Sequence, residues 1–425
     1  MREKIAFVVF YQKKNIYSFN ALIGALETVE ELEDIKIYFI RGSENLENEL
    51  ERICENHQKV VLGISFFTTQ LWEIKDLLKL LRAKYKERVL FIAGGPHPTG
   101  DPKGTLKMGF DIVVVGEGEE TLIEILYNVK NNENFDAIMG IAYFNKDKIL
   151  ITTKKRRWID LDKYPPLPIK NVKFGAIEIT RGCPFACYFC QTPYILGTRP
   201  RHRSIKSICN AVTVMKTYGK TDIRFITPNA FSYGSPDGKS LKIPLLEKLL
   251  IEITKIIKPK GKIYLGSFPS EVRPEHVTKE TLGLILKYAA NDNIVLGAQS
   301  GSQKVLDSCN RGHTTRDVYN AVKLTLEAGL IPNVDFIFNL PNETEEDIDL
   351  TIDFMYKISD MGAKIHSHTF MPLPLTRFAY EEVKDVNEKI IKTISKLSSQ
   401  GLAYGKWKKQ EKIAKNISNY LKKMN

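Results

Sequence analysis

The sequence predicts an α/β fold in two parts: a doubly wound, parallel five-stranded sheet, then a partial (β/α)6 barrel with a C-terminal helical segment. Three observations carry that reading. Short apolar runs alternate with amphipathic segments through the first 130 residues, the alternation resumes at Gly175, and a proline-rich stretch separates the two series. At 425 residues the chain is also too long for one ordinary core.

In the first series, strands are expected at Ile5–Phe10, Ile35–Ile40, Val60–Ile64, Val89–Ala93 and Ile112–Val115. Helical patterns lie near Ser18–Val29, Leu46–Cys54, Leu71–Tyr85 and Glu119–Val129. Sheets of this kind bind ligands beyond the carboxyl ends of their strands. Two glycine turns fall there: Gly94-Gly-Pro-His-Pro-Thr99 after the fourth strand and Gly116-Glu-Gly-Glu-Glu-Thr121 after the fifth. Glycine lets a ligand approach the backbone, and a helix N-terminus behind it favours anionic or polar groups.

Residues 138–172 break the rhythm. Gly140–Phe144 and Ile149–Thr153 read as a hairpin around Asn145 to Lys148, and Asp160 to Pro168 is an extended, proline-rich linker. The second series places strands at Ala176–Thr180, Ile223–Thr227, Lys262–Gly266, Ile294–Ala298, Val334–Phe338 and Ile365–Phe370. Helical patterns fill the gaps at Ser204–Tyr218, Leu245–Ile257, Thr278–Ala289, Arg316–Ala328 and Thr344–Ser359. The expected boundaries are 1–137, 138–172, 173–380 and, for the helical extension, 381–425. In barrels, function sits on the loops that follow the strands.

Composition is that of a soluble globular protein, with 43% hydrophobic and 26% charged residues. No run approaches the roughly 18 apolar residues of a membrane span, and no N-terminal signal stands out. A cytoplasmic protein is expected. The net charge of +12 is partly local, because Lys406 to Asn425 carries seven lysines against the single acid Glu411. A solvated amphipathic helix accounts for that run most simply, and an RNA contact is the alternative.

Three of the six cysteines crowd together as Cys183, Cys187 and Cys190, on a loop leaving the first strand of the second series. Cys54, Cys209 and Cys309 are isolated. That usage fits a reducing compartment and a metal site better than a disulfide scaffold. Three thiolates can hold three irons of a four-iron cluster and leave the fourth open to a small molecule. A structural zinc site would need a fourth ligand, with His202 the nearest histidine downstream. On the last strand, His366 and His368 are two apart and share a face with Lys364. Either histidine can act as an acid or base.

The run from Arg181 to Cys190, with aromatic Phe189 before the last cysteine, resembles the signature of the radical S-adenosylmethionine (SAM) enzymes. The runs Gly297–His313 and Asp335–Asp347 are similar to the cobalamin-domain and methylthiotransferase branches of that superfamily. Those branches often carry glycine where Asn339 and Asn342 stand; asparagine tolerates left-handed backbone better than other residues. The Ser65-to-Gln70 run and the two glycine turns resemble the cobalamin-binding domain fused to such enzymes. A D-x-H-x-x-G run does not occur, which implies base-off cobalamin without a histidine ligand, or a domain that has kept the fold and lost the cofactor.

The resemblance implies a [4Fe-4S] cluster on Cys183, Cys187 and Cys190. It implies SAM contacts from Phe189, Thr227, Asn229, Ser267, Gln299, Ser300 and Asn339, and cobalamin contacts from Ser65, Thr68, Gly94, Gly95, Gly116 and Gly118. Trp72 either covers the lower corrinoid face or packs in the core. The family needs an external one-electron donor of flavodoxin or ferredoxin type. The activity implied is methyl transfer to an unactivated carbon through a 5′-deoxyadenosyl radical. Methylthiolation or another RNA modification, radical rearrangement or ring formation, and a non-catalytic cobalamin or cluster sensor are the alternatives.

Overall fold

Every side chain from Ile5 to Phe10 is buried, where a half-exposed strand would alternate. The cause is topological. In the computed structural model, which describes residues 3–423, β1 (Glu3–Phe10) lies inside a parallel sheet, and parallel sheets bury both faces. Helix α1 (Ile16–Leu26) leads to β2 (Lys36–Ile40), and α2 (Ser43–Asn56) leads to β3 (His57–Ser65), which pairs with β1 on its other side. Helix α3 (Leu71–Tyr85) then precedes β4 (Val89–Gly94). Short helices α4 (Pro96–Gly100) and α5 (Pro102–Lys107) lead to β5 (Ile112–Val114). Helix α6 (Glu119–Asn131) starts with two acids in its first turn and ends on Asn132 in the left-handed region, at φ 58°.

This sheet is larger than the sequence predicts. The hairpin assigned to the linker forms β6 (Ile141–Phe144) and β7 (Leu150–Thr152), and β6 pairs antiparallel with β5. The five-stranded expectation is corrected to seven strands in the order β2-β1-β3-β4-β5-β6-β7. The hairpin covers the β5 edge, which would otherwise expose unpaired backbone groups. The proline-rich segment lies on α1. The Glu27 carboxylate accepts the backbone N–H groups of Ile169, Lys170 and Asn171 at 2.6 to 2.9 Å. The chain divides after this segment, into Met1–Gly175 and Ala176–Asn425.

In the second unit, β8 (Ile177–Glu178) precedes a small antiparallel pair, β9 (Thr180–Arg181) with β10 (Arg201–His202). The cysteine loop and helix α7 (Thr192–Leu196) lie between those two strands. Then come α8 (Ile205–Thr217), β11 (Asp222–Ile226), α9 (Ile243–Ile257), β12 (Lys262–Tyr264) and α10 (Lys279–Tyr288). They are followed by β13 (Asn293–Gln299), α11 (Gln303–Ser308), α12 (Thr315–Glu327), β14 (Ile331–Phe338), α13 (Glu345–Asp360) and β15 (Lys364–Thr369). Capping boxes at Thr314 and Thr344 start α12 and α13.

Strands β8, β11 and β12 pair in parallel, as do β13, β14 and β15. A parallel bridge between Val272 and Leu296 joins the two sets. Residues 381–425 are not helical alone, which corrects the expected extension. Helix α14 (Glu388–Ser399) leads to β16 (Ala403–Gly405), a further parallel strand on β15, before helix α15 (Trp407–Lys422). Helix α15 buries Trp407, Ala414, Ile417 and Leu421, and exposes Lys408, Lys409, Lys412 and Lys415. Each buried leucine or isoleucine there is worth roughly 1.5–3 kcal/mol. The lysines therefore occupy the solvated face of an amphipathic helix. Among the described residues, no helix is long and apolar enough to cross a membrane.

Candidate active site and cofactor sites

The cysteine loop departs from β9 through Gly182, whose φ of +91° only glycine adopts freely. The loop then closes on its own backbone. Cys183 N–H donates to the Gly197 carbonyl and Cys190 N–H to the Cys187 carbonyl, each at 3.0 Å. Tyr188 N–H reaches the Cys309 carbonyl at 3.0 Å. Burial raises the Cys183 thiol and pushes Cys190 up to about 11. Thiolates enclosed in this way need a cation beside them, and cluster iron supplies one.

Two buried guanidinium groups stand beside the thiols. Arg311 Nη1 lies 3.6 Å from Cys187 Sγ, and its Nη2 donates to the Gly297 carbonyl at 2.7 Å. Arg273 stacks on the Phe185 ring, 3.3 Å from its centroid, and its Nε donates to Glu275 at 2.5 Å. Arg273 Nη1 and Arg311 Nε have no partner among the described residues. Buried N–H groups of a cation are rarely left so, and they suit an anionic ligand such as the carboxylate of SAM. Burial, and after it the charges of these two guanidinium groups, lower neighbouring His313 to about 2, so that ring is neutral.

The strand-end residues divide by how much bonding capacity they have left. Ser267 Oγ is buried without a partner among the described residues. Asn229 is committed: Oδ1 accepts the backbone N–H of Arg273 at 3.2 Å, and Nδ2 meets His276 Nδ1 at 2.5 Å. Thr227 Oγ1 donates to the Asn229 carbonyl, and Ser300 Oγ bonds Thr351 and accepts the Ser302 N–H. Gln299 is buried at a φ of +77°. Asn339 and Asn342 hold φ of +61° and +65°, so asparagine does keep the left-handed turn expected of it. Phe189 packs against the buried cluster of Val305, Cys309, Leu340, Phe370 and Phe378.

His366 and His368 lie together on β15, and Asp335 stands opposite His366 in the β14 register. Asp335 was missed in the sequence; its signal is a lone acid inside an apolar strand. Glu271, also missed, is solvent-exposed, and its carboxyl is drawn upward by desolvating surroundings and by the Asp335 charge. Glu343, after β14, is pushed up to about 7 from 4.5, mainly by burial and further by Asp347. The native state therefore holds the Glu343 proton more tightly than the unfolded chain does. The destabilisation is absent below about pH 4.5, grows between there and about 7, and is complete above. Thermal melts of the Glu343→Gln variant should show a flatter decline than the parent across that window; parallel curves would remove Glu343 as the source.

In the first unit, the strand order reverses between β1 and β3, the position where such sheets bind ligands. Ser65 pairs in register with Gly94, and a Cβ on Gly95 would lie 2.7 Å from Ser65 Oγ. Thr68 Oγ1 bonds His97 Nδ1 at 3.2 Å. Gly116 has φ +86° with open space where a Cβ would be, and its N–H donates to Thr99 Oγ1 at 3.1 Å. Gly118 packs on Leu22, 3.0 Å from a would-be Cβ, and so has a packing role. Buried Asn15 ties the β1 and β3 ends together by donating to the Phe10 and Ser65 carbonyls. Gln12 Nε2 beside it is buried without a partner among the described residues. Neither Asn15 nor Gln12 was evident from sequence. Burial lowers His97 to about 4 and leaves it no exposed surface, so this ring is a neutral brace under the loop. Trp72, on α3, is half-buried.

A family model of the radical SAM superfamily matches residues 177–355, and one of the B12-binding domain matches residues 23–126. The chain carries a radical SAM domain and a B12-binding domain. It is an enzyme, and its cofactors are a [4Fe-4S] cluster, SAM and cobalamin. The radical SAM protein is similar to an uncharacterised methyltransferase of Pyrococcus horikoshii, 26% identical over 362 residues, which are 82% of this chain and 75% of the relative. A protein of Methanocaldococcus jannaschii named as a methylthiotransferase is 30% identical over 279 residues, 64% of this chain and 58% of that one. In fold it resembles the radical SAM methyltransferase TsrM of Kitasatospora setae, solved with cobalamin and a [4Fe-4S] cluster. The TM-score is 0.70 at 15% identity, covering 89% of this chain and 77% of that one.

Proposed function

We propose that this radical SAM protein is a methyltransferase that acts on an unactivated carbon of its substrate. The observation that carries the reading is the pairing, in one chain, of a three-thiol loop backed by two buried guanidinium groups with a B12-binding domain whose strand-end loops form an open cradle. Bound together, the cluster and SAM supply a carbon radical that abstracts hydrogen, and cobalamin supplies a methyl carrier. The protein's own groups do the positioning. Cys183, Cys187 and Cys190 hold the cluster, and Arg311 and Arg273 present N–H donors to the SAM carboxylate. Ser267 offers a polar atom from the loop after β12 and Gln299 one from the end of β13, and Asn339 shapes the turn after β14. Ser65, Thr68, Gly94, Gly95 and Gly116 let the corrinoid approach backbone, and Gln12 presents an amide. Cobalamin is expected base-off without a histidine ligand, since His97 is enclosed. An external electron donor of flavodoxin or ferredoxin type completes the system.

A second reading is methylthiolation, which the similarity to the Methanocaldococcus jannaschii protein supports. Against it, the first unit carries one cysteine, Cys54, buried in α2, where that chemistry's usual N-terminal domain supplies three more. Anaerobic purification with cobalamin supplied, followed by optical spectroscopy, separates the readings. A tightly bound corrinoid alongside the cluster is expected; an intact cluster without corrinoid would sink the methyltransferase reading and leave radical SAM chemistry standing.

A further inference from the structure

Asp335, His366 and His368 converge more closely than a hydrogen-bonded set needs to. His366 Nδ1 lies 2.8 Å from Asp335 Oδ1 and 3.1 Å from His368 Nε2, and the third edge, His368 Nε2 to Asp335 Oδ1, is 3.8 Å. With metal–ligand bonds of about 2.1 Å, adjacent ligands stand about 3.0 Å apart in an octahedron and about 3.4 Å in a tetrahedron. The three observed edges bracket those values. We propose that Asp335, His366 and His368 form a binding site for a divalent first-row transition ion, distinct from the cysteine ligands of the cluster.

Proton bookkeeping points the same way. Gln410 Oε1 accepts the Thr369 N–H at 3.0 Å, so its amide nitrogen is what faces His368 Nδ1 at 3.2 Å. That nitrogen of His368 is then bare, and the neutral ring carries its proton on Nε2, aimed at His366 Nδ1. Yet His366 Nδ1 needs a proton of its own to bond Asp335. Two N–H groups would meet head-on at the 3.1 Å contact. A cation in the centre replaces both protons. Asp335 is 4% exposed, and among the described residues no lysine or arginine pairs with it. A carboxylate buried in this way calls for a positive partner.

The scaffold suits a metal. Asp335 and His366 are register partners on neighbouring strands, so backbone pairing fixes their spacing. His366 lies flat on Tyr404, 4.5 Å between centroids at 12°. The two histidine side chains keep 31% and 29% of their surface accessible, which leaves coordination positions open to solvent or a ligand. Two imidazoles and one carboxylate suit zinc, iron or cobalt over calcium or magnesium. Loading the ion moves the His368 proton to Nδ1, where it confronts the Gln410 amide. Glutamate at 410 would accept both that proton and the Thr369 N–H, and so should tighten the site.

The test is a zinc titration of the full chain with its cluster loaded, so that the cysteines are already occupied by iron. Bound zinc is measured after equilibrium dialysis, and iron content and melting temperature serve as fold checks. One saturable zinc site is expected. Asp335→Asn and His366→Gln should each weaken it by at least about tenfold, and Gln410→Glu should tighten it by on the order of tenfold. Absence of saturable uptake, or equal uptake by the Asp335→Asn variant with its cluster intact, overturns the proposal. An unchanged affinity in Gln410→Glu overturns the His368 ligand. None of these readouts depends on methyl transfer, so failure here leaves the proposed function untouched.

Discussion

Replacement of Cys183, Cys187 and Cys190 together by alanine is expected to abolish the cluster, with loss of bound iron and of the four-iron absorbance. The reason is the donor count. Among the described residues Cys309 lies outside the loop, buried in an apolar cluster with Val305, Leu340, Phe370 and Phe378. Cys54 lies in the other unit. The backbone bonds that close the loop, from Cys183 N–H to Gly197 and from Tyr188 N–H to Cys309, do not involve the thiols. The variant should therefore remain folded while losing its iron. Four-iron absorbance retained in the triple variant would refute the ligand assignment.

Gly182→Ala should be the most damaging single change in the loop. A Cβ at that position would lie 2.5 Å from the Arg199 carbonyl oxygen, and a backbone atom cannot yield as a flexible side-chain tip would. Gly182 also holds φ at +91°, where an L-residue is strained. The left-handed backbone costs about 1–2 kcal/mol and the overpacking about 1–3 kcal/mol. For a unit of this size, the melting temperature should fall on the order of 10 °C. Gly283→Ala is the matched control. Gly283 lies within α10 with nothing near a would-be Cβ, and alanine there should be neutral or stabilising by about 0.5–1 kcal/mol. Equal melting temperatures for the two variants would remove the strain argument.

What the sequence revealed, and what it hid, follows from the range of the interactions concerned. Periodicity is local, so β1, β4 and α3 were evident from their own residues. The cysteine spacing is local too, and it carried the cluster assignment. Pairing partners are not local. Nothing in Ile141–Phe144 says that its neighbour is β5, so the hairpin read as part of a linker when it extends the sheet. Strand β16 is three residues, Ala403-Tyr-Gly405, too short for alternation to register, and its parallel place on β15 is set by α14 and α15 on either side. The same limit hid the site's charged groups. Arg311 reaches Cys187 from 124 positions away, and Asp335 meets His366 across 31. The left-handed turns at Asn339 and Asn342 were readable because asparagine's tolerance is a property of the residue itself.

The central claim is that methyl groups leave SAM by way of cobalamin in this protein. Its most direct test supplies the anaerobically purified, reduced holoenzyme with SAM labelled in the methyl group and follows the label by mass spectrometry. The account predicts labelled methyl on the protein-bound corrinoid, together with 5′-deoxyadenosine once a substrate is present. Formation of 5′-deoxyadenosine with the corrinoid unlabelled throughout would contradict it.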